Sequence, residues 1–273
     1  MKKVVLLTGS ELRHEFFRKL ISNQEDIKVL SSYCESLKGN LRENINKENH
    51  GKRLRVKHLD ERTNFEKKFF GSYCKNINDK SNPVFIERGD INNKDHVKKI
   101  IRLKPDIIIS YGCSIINSDL LTRFKRKFVN IHLGLSPYYR GSGTNFWPFV
   151  NNELQYVGTT FMYIDEGVDT GEVIHQIRPK IKLKDNIHQI GNRLIKDSCF
   201  ECIKLIKNFE NLSDMDQVKI DKKEVRYYRK KDFTEDSIEK TYNNLAKGII
   251  NEYLSNKVKI DSKVQIIKNT GIV

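Results

Sequence analysis

The stretch Lys127-Phe128-Val129-Asn130-Ile131-His132-Leu133, with Gly134, Pro137 and Gly141 close behind, decides how this chain reads. It has the pattern of a strand, and side chains two apart on a strand point the same way. Asn130 and His132 therefore project together from one face, while Val129, Ile131 and Leu133 turn to the other. Gly134, Pro137 and Gly141 then end the strand and open a loop. A polar pair at the exit of a strand lies where open α/β sheets place their chemistry.

The chain around it fits that frame. Residues 3–8 read as a first strand. Gly9-Ser10 turns into a helix carrying Leu12, Phe16, Phe17, Leu20 and Ile21, and residues 27–33 form a second strand, which makes a βαβ opening. No G-x-G-x-x-G follows the first strand, so a tightly bound dinucleotide is not expected. Residues 35–82 are polar and irregular and leave two readings open, helices of the α/β layers or a long excursion. Val84-Phe85-Ile86 is a short strand, 93–103 a helix ending before Pro105, and 117–124 a short helix. Asp106 to Gly112 holds the near-continuous apolar run of a strand covered on both faces. Residues 156–164 and 172–181 read as strands on either side of the Asp165-to-Gly171 turn. A helix over 187–209 carries Ile187, Ile190, Leu194, Ile195 and Phe200 largely on one side. The tail has a strand-like Val225-Arg226-Tyr227-Tyr228, a helix over about 235–254, and then short alternating strands. The expected fold is α/β: a Rossmann-like open, mostly parallel twisted sheet with helices on both faces over residues 1–210. A small α+β C-terminal module follows over 211–273, for substrate contact or dimerisation.

Composition narrows the function. The formal charge is +15, from 50 Lys and Arg against 35 Asp and Glu. That balance admits an anionic ligand or a nucleic acid, although Lys and Asn are spread evenly enough to make a solvated surface the ordinary reading. No run approaches the ~18 apolar residues of a membrane span, and the apolar core of residues 4–7 is too short for a signal peptide. The five cysteines are scattered, which suits a reduced, cytoplasmic setting. Cys199 and Cys202 form C-x-x-C inside the 187–209 helix, with no second pair, so burial is expected there and metal is not. His175 and His188 carry no metal role either.

Asn130, His132 and Asp169 make a chemical set. An amide offers two N–H donors at fixed geometry. Aimed at a carbonyl oxygen, they stabilise the charge that develops under nucleophilic attack. An imidazole can donate to the same oxygen, and a carboxylate orients that imidazole and accepts a proton from an incoming amine. This is acyl-transfer equipment without a protein nucleophile, so the attacking group belongs to the substrate. Arg140 supplies a planar fork for phosphate or carboxylate, and Gly141 and Gly143 let backbone approach a ligand. Each residue alone is ordinary for a loop or a strand end; the ordered set is not.

Asn130-Ile131-His132, the Pro137-Tyr138-Tyr139-Arg140-Gly141 loop and Asp165…Val168-Asp169-Thr170-Gly171 together resemble the signature of the 10-formyltetrahydrofolate-dependent formyltransferases. That superfamily includes methionyl-tRNA, glycinamide ribonucleotide and nucleotide-sugar N-formyltransferases. Pro105 to Gly112 resembles its strand and folate-side loop. The likeness covers roughly residues 80–200, and the first strand and helix loosely. It implies an enzyme in which Asn130 binds the formyl oxygen, His132 stabilises the oxyanion, and Asp169 pairs with His132 and assists deprotonation of the acceptor amine. It implies that 10-formyltetrahydrofolate, the formyl donor, lies against Tyr111, Gly112, Ile115 and Ile116 and the turn at Asp165 and Val168. Tyr138, Arg140 and Gly141 would contact the acceptor, and no metal is implied. One departure stands out: the family commonly has serine two residues after the histidine, then Leu-Leu-Pro, whereas this chain has His132-Leu133-Gly134-Leu135-Ser136-Pro137.

Three acceptors compete. Methionyl-tRNA implies a nucleic-acid surface and a sizeable C-terminal β-barrel, yet the 63 residues from 211 to 273 carry 13 Lys or Arg against 10 Asp or Glu, only +3 of the +15. The patch from Lys222 to Lys231 with Tyr227 and Tyr228 is the best case for RNA. Glycinamide ribonucleotide enzymes resemble a shorter chain. A nucleotide-linked amino sugar, a small anionic primary amine, is the expected acceptor, with a homodimer through the tail as a further expectation. A catalytically inactive folate- or nucleotide-sugar-binding module is the alternative of another class.

Overall fold

The computed structural model describes residues 1–117 and 119–272. In chain order the elements are β1 (Lys2–Thr8), α1 (Leu12–Ser22), β2 (Ile27–Glu35), α2 (Leu41–Asn46), α3 (Arg53–Asn76), β3 (Pro83–Ile86), α4 (Lys94–Leu103), β4 (Ile107–Tyr111), α5 (Leu120–Arg123), β5 (Phe128–His132) and β6 (Tyr139–Gly141). There follow α6 (Trp147–Val150), β7 (Thr159–Tyr163), β8 (Val173–Ile177), α7 (Ile187–Lys207), β9 (Arg226–Tyr228), α8 (Glu235–Ala246), α9 (Ile249–Ser255) and α10 (Lys257–Asp261).

The main sheet has seven strands in the order β3-β2-β1-β4-β5-β7-β8. Strands β1 to β5 run parallel; β7 pairs antiparallel with β5, and β8 pairs antiparallel with β7, so β8 runs in the direction of β1 to β5. Val4, Val5, Leu6 and Leu7 are all fully buried, because both faces of β1 are covered. Val4 and Leu6 pack with Phe17 of α1, Leu59 of α3 and Leu194 of α7. Val5 and Leu7 pack with Val97 of α4 and Leu120 of α5 on the opposite face. Burial of each such side chain contributes roughly 1.5–3 kcal/mol. The Rossmann-like α/β architecture expected from the pattern is the one observed. The strand order reverses between β1 and β4, which opens a crevice at the carboxyl ends of β1, β4 and β5.

The polar region 35–82 resolves into the end of β2, the short α2 and the 24-residue α3, so it belongs to the helical layer. Several expectations need correction. Phe200 is 45% exposed; the buried face of α7 is completed instead by Cys199 and Cys202, whose thiols burial pushes up. The helix expected over 235–254 breaks at Gly248, whose φ of 89° lies in the left-handed region. The short alternating strands expected at the tail are absent among the described residues. Lys257–Asp261 is helical instead, since Val258 is 87% exposed and has no apolar face to alternate against. Ser118, inside the helix expected over 117–124, lies outside the described residues, as does Val273.

Among the described residues the tail has no core of its own. Phe233, Ile238, Ile250, Tyr253 and Val264 join the same apolar cluster as Val4 and Leu6. Beside β8 the backbone of Ile267 pairs with Gln176, as Gln176 N–H donates to Ile267 O at 2.8 Å and Gln176 Oε1 accepts from Ile267 N–H at 3.0 Å. Strand β9 pairs parallel with β6, as a two-stranded sheet over the loop that follows β5.

Candidate active site

Asn130 sits on β5 between Ser110 of β4 and Met162 of β7. Ser110 Oγ donates to Asn130 Oδ1 at 2.9 Å. That contact occupies the carbonyl end of the amide and leaves its NH2 end to face the crevice. His132, buried at the end of the same strand, pairs through Nδ1 with Asp169 Oδ1 at 3.1 Å. Its Nε2 lies 3.2 Å from Tyr139 O. A neutral imidazole has one N–H and donates to only one of these oxygens at a time, so the pairing with Asp169 is what orients the ring.

Asp169 belongs to the turn between β7 and β8. Asp165 Oδ1 closes that turn by accepting from Gly167 N at 3.0 Å and Thr170 Oγ1 at 2.7 Å. Asp169 itself holds φ of +53°, a strained setting for a residue with a Cβ, and its Oδ2 accepts from Gly141 N at 2.9 Å. Burial works against charge on its carboxyl. His132, the Gly141 amide and nearby Arg140 outweigh burial and hold it below the usual carboxylate range. One carboxylate thus ties together the imidazole, the β7–β8 turn and the β6 loop.

Two cavities meet at this point, and Asn130, Asp169 and Cys113 line both. The smaller, ≈ 120 Å³, is bounded by Ile115, Ile116, Asp165, Val168 and backbone of the turn. Ile115 is 67% exposed at its mouth. The larger, ≈ 490 Å³, runs under α1, α3 and α7 and the tail segment at Arg229–Phe233. Its size falls in the range of ordinary small-molecule sites. Glu35, fully buried at the end of β2, braces both loops of the crevice: its carboxylate accepts from Gly89 N at 2.9 Å and Ser114 N at 2.6 Å.

Of the residues singled out from sequence, Ile115, Ile116, Asp165 and Val168 face the smaller cavity. Tyr111, Gly112, His132 and Gly141 face the larger one. Tyr111 and Gly112 therefore lie on the other side of Asn130 from the rest of the set expected to hold the donor. Gly112 has φ of +72°, and a Cβ there would stand 2.4 Å from His14 Nε2. Tyr138 and Arg140 line neither cavity. Tyr138 is buried against Tyr156 and donates its hydroxyl to Gln265 O at 3.0 Å; Arg140 reaches Asp169 only electrostatically.

Sequence reasoning missed Ser110, and His14 and Arg88 at the larger cavity, and read Arg229 and Lys230, which also line it, only as part of the patch offered for RNA. It also missed a pair of buried histidines there. His58 of α3 and His188 of α7 lie with ring centroids 4.7 Å apart, and His58 Nδ1 is 3.2 Å from the Tyr242 hydroxyl. Burial, the neighbouring His188 and Arg62 push His58 down to about 3. Burial and Arg62 push His188 down to about 4. Such groups stay neutral when folded but take up protons when unfolded, so stability is lost as pH falls below about 6.5. Between pH 6.5 and 4 each histidine is expected to cost up to about 1.4 kcal/mol per pH unit. Urea unfolding at pH 7, 6 and 5 checks this; His58→Gln should flatten the slope, and an unchanged slope defeats the assignment.

Among the described residues no cluster of His, Cys, Asp and Glu is placed to hold a metal ion, and no helix is long and apolar enough to cross a membrane.

Comparison with known proteins gives the family. The family model "Formyl transferase" matches residues 1–199, and the chain belongs to that family. A methionyl-tRNA formyltransferase of Desulforamulus reducens is 33% identical over 113 residues, 41% of this chain and 35% of that protein. The bifunctional polymyxin resistance protein ArnA of Wigglesworthia glossinidia brevipalpis is 32% identical over 146 residues, 53% of this chain and 22% of that protein. The chain thus matches about a third or less of the length of these curated relatives. In fold it is similar to a 4-N formyltransferase of Francisella tularensis, with TM-score 0.54 and 19% identity over 85% of this chain and 78% of that one. It is also similar to a phosphoribosylglycinamide formyltransferase of Anaplasma phagocytophilum, with TM-score 0.52 and 15% identity over 82% and 92%.

Proposed function

We propose that the chain transfers a formyl group from 10-formyltetrahydrofolate to the primary amine of a small anionic acceptor, a nucleotide-linked amino sugar. The observation that carries the reading is the meeting of Asn130, His132 and Asp169 where the two cavities join. The donor takes the smaller cavity, with its formyl group at Asn130. The acceptor takes the larger, which Arg13, Arg42, Arg62, Arg88, Arg229 and Lys230 line against Glu11, Glu66 and Asp169. That excess of positive charge favours an anionic acceptor.

In the proposed reaction the neutral acceptor amine attacks the formyl carbon. The Asn130 NH2 group and the His132 ring meet the negative charge that forms on the formyl oxygen. Asp169 keeps the imidazole oriented and takes the proton the amine sheds, directly or through water. The bond from the formyl carbon to N10 of the folate then breaks; that nitrogen keeps the electron pair and takes up the proton held by Asp169, directly or through water, which restores the carboxylate. The local matches to methionyl-tRNA formyltransferases keep tRNA as the second reading. Against it, the only strand described after residue 210 is β9, three residues long and already paired with β6.

The chain is expected to turn over at least one amino-sugar nucleotide with 10-formyltetrahydrofolate, followed by folate absorbance. Turnover with charged methionyl-tRNA and with no amino-sugar nucleotide would replace the acceptor reading. Binding of folate and sugar nucleotide without any turnover would make the chain a binding module.

A further inference from the structure

The cations of the larger cavity fall into two sets. Arg13 pairs with Glu66 at 2.7 Å and Glu11 at 3.2 Å, Arg62 reaches Glu66 at 3.8 Å, and Arg42 pairs with Asp60. Their charge is largely answered within the protein. Arg88, Arg229 and Lys230 line the same cavity, yet among the described residues none of the three makes an ion pair with a carboxylate. Burial and the neighbouring positive charge of Arg88 together hold the Lys230 ammonium below the ordinary range. Arg88 follows β3, and Arg229 and Lys230 follow β9. These segments, some 140 residues apart in sequence, come together because β9 docks on β6. Like charges gathered at a cavity wall without a counter-ion cost stability, and an arriving anion recovers it.

We propose that Arg88, Arg229 and Lys230 form an anion subsite for a diphosphate of the acceptor, so that the tail segment after β9 selects for phosphate-bearing amines. The proposal rests on the acceptor reading above. Two guanidinium forks and an ammonium suit the several oxygens of a diphosphate, and three positive charges match its two to three negative ones. The subsite is built from the β3 loop and the tail, whereas the reacting amine must reach β5. It therefore grips a part of the acceptor that takes no part in bond making and acts on binding rather than on the chemical step.

Calorimetric titration of the full chain with inorganic pyrophosphate and with uridine diphosphate tests it. The unmodified protein is expected to bind both, more weakly as salt rises. Arg229→Ala/Lys230→Ala and, separately, Arg88→Ala are expected to weaken both probes roughly tenfold or more. Lys222→Ala/Lys223→Ala removes two exposed charges of the same segment that line neither cavity, and should leave affinity as it was. Binding of 5-formyltetrahydrofolate, a stable relative of the donor, should be the same in every variant, which shows that the fold and the donor side are intact. Unchanged diphosphate affinity in Arg229→Ala/Lys230→Ala overturns the subsite. An equal loss in Lys222→Ala/Lys223→Ala reduces the effect to bulk charge and overturns it too. If the unmodified protein binds the folate but neither diphosphate, the subsite falls and formyl transfer stands. If it binds no folate, both readings fall.

Discussion

Alanine at Asn130 is expected to lower kcat on the order of 10²–10³-fold, with donor affinity nearly unchanged. The amide is held in place while its donor end stays free. Ser110 Oγ occupies its oxygen at 2.9 Å, and strands β4 and β7 hold its backbone on both sides. A preorganised donor of this kind matters most where charge appears during reaction and little in the ground state. The loss should therefore fall on kcat and spare the binding of 5-formyltetrahydrofolate. Single-turnover kinetics on Asn130→Ala, with calorimetry for the folate, separates the two. Full kcat in that variant would falsify the oxyanion role; a lost folate site with normal kcat at saturation would recast Asn130 as a binding residue only.

The second large effect is expected at Gly141. Its φ is +92°, and a Cβ there would stand 2.1 Å from Tyr228 O. Alanine must therefore push β9 away from β6 as well as accept a left-handed backbone. The strain and the forced shift together should cost roughly 2–4 kcal/mol. The consequence is more than lost stability, because the Gly141 amide holds Asp169 Oδ2 and Ser142 N donates to Tyr228 O at 2.8 Å. Trp147 also stacks on Tyr228 with centroids 4.0 Å apart. Moving β9 loosens the carboxylate that orients His132, and it shifts Arg229 and Lys230, which follow directly in the chain. Gly141→Ala is expected to lower kcat at least about tenfold below the unfolding transition, and to weaken pyrophosphate binding in parallel. A variant that melts earlier but turns over normally in its folded range would show that β9 is mere packing.

Much of the crevice was legible along the chain because the signals are local. Period-two spacing put Asn130 and His132 on one side of a strand. Glycine, proline and aspartate marked the loops at 134–143 and 165–171, where such residues set backbone geometry for steric reasons. The apolar runs of β1 and β4 announced a sheet covered on both faces. Other features were hidden. Ser110 supports Asn130 only because β4 and β5 lie adjacent in a particular register, and a single sequence carries no register. Region 35–82 looked irregular because α3 shows a weak apolar stripe, with only Arg55, His58, Leu59, Glu66, Phe70 and Cys74 buried. Tyr138 and Arg140 seemed apt for a ligand by type, but type does not say which way a side chain turns once β9 has closed over β6.

Residue order by itself determined the βαβ frame, the strand bearing the amide and imidazole, and the aspartate turn that follows. Each of these is written within a few residues, where sterics and hydrophobic period act. Tertiary packing alone decided that Asp169 meets His132, that a second cavity opens under α1, α3 and α7, and that the tail delivers Arg229 and Lys230 beside Arg88. Those are contacts between segments distant along the chain, set by how the sheet twists and which faces must be covered, and no short-range rule encodes them.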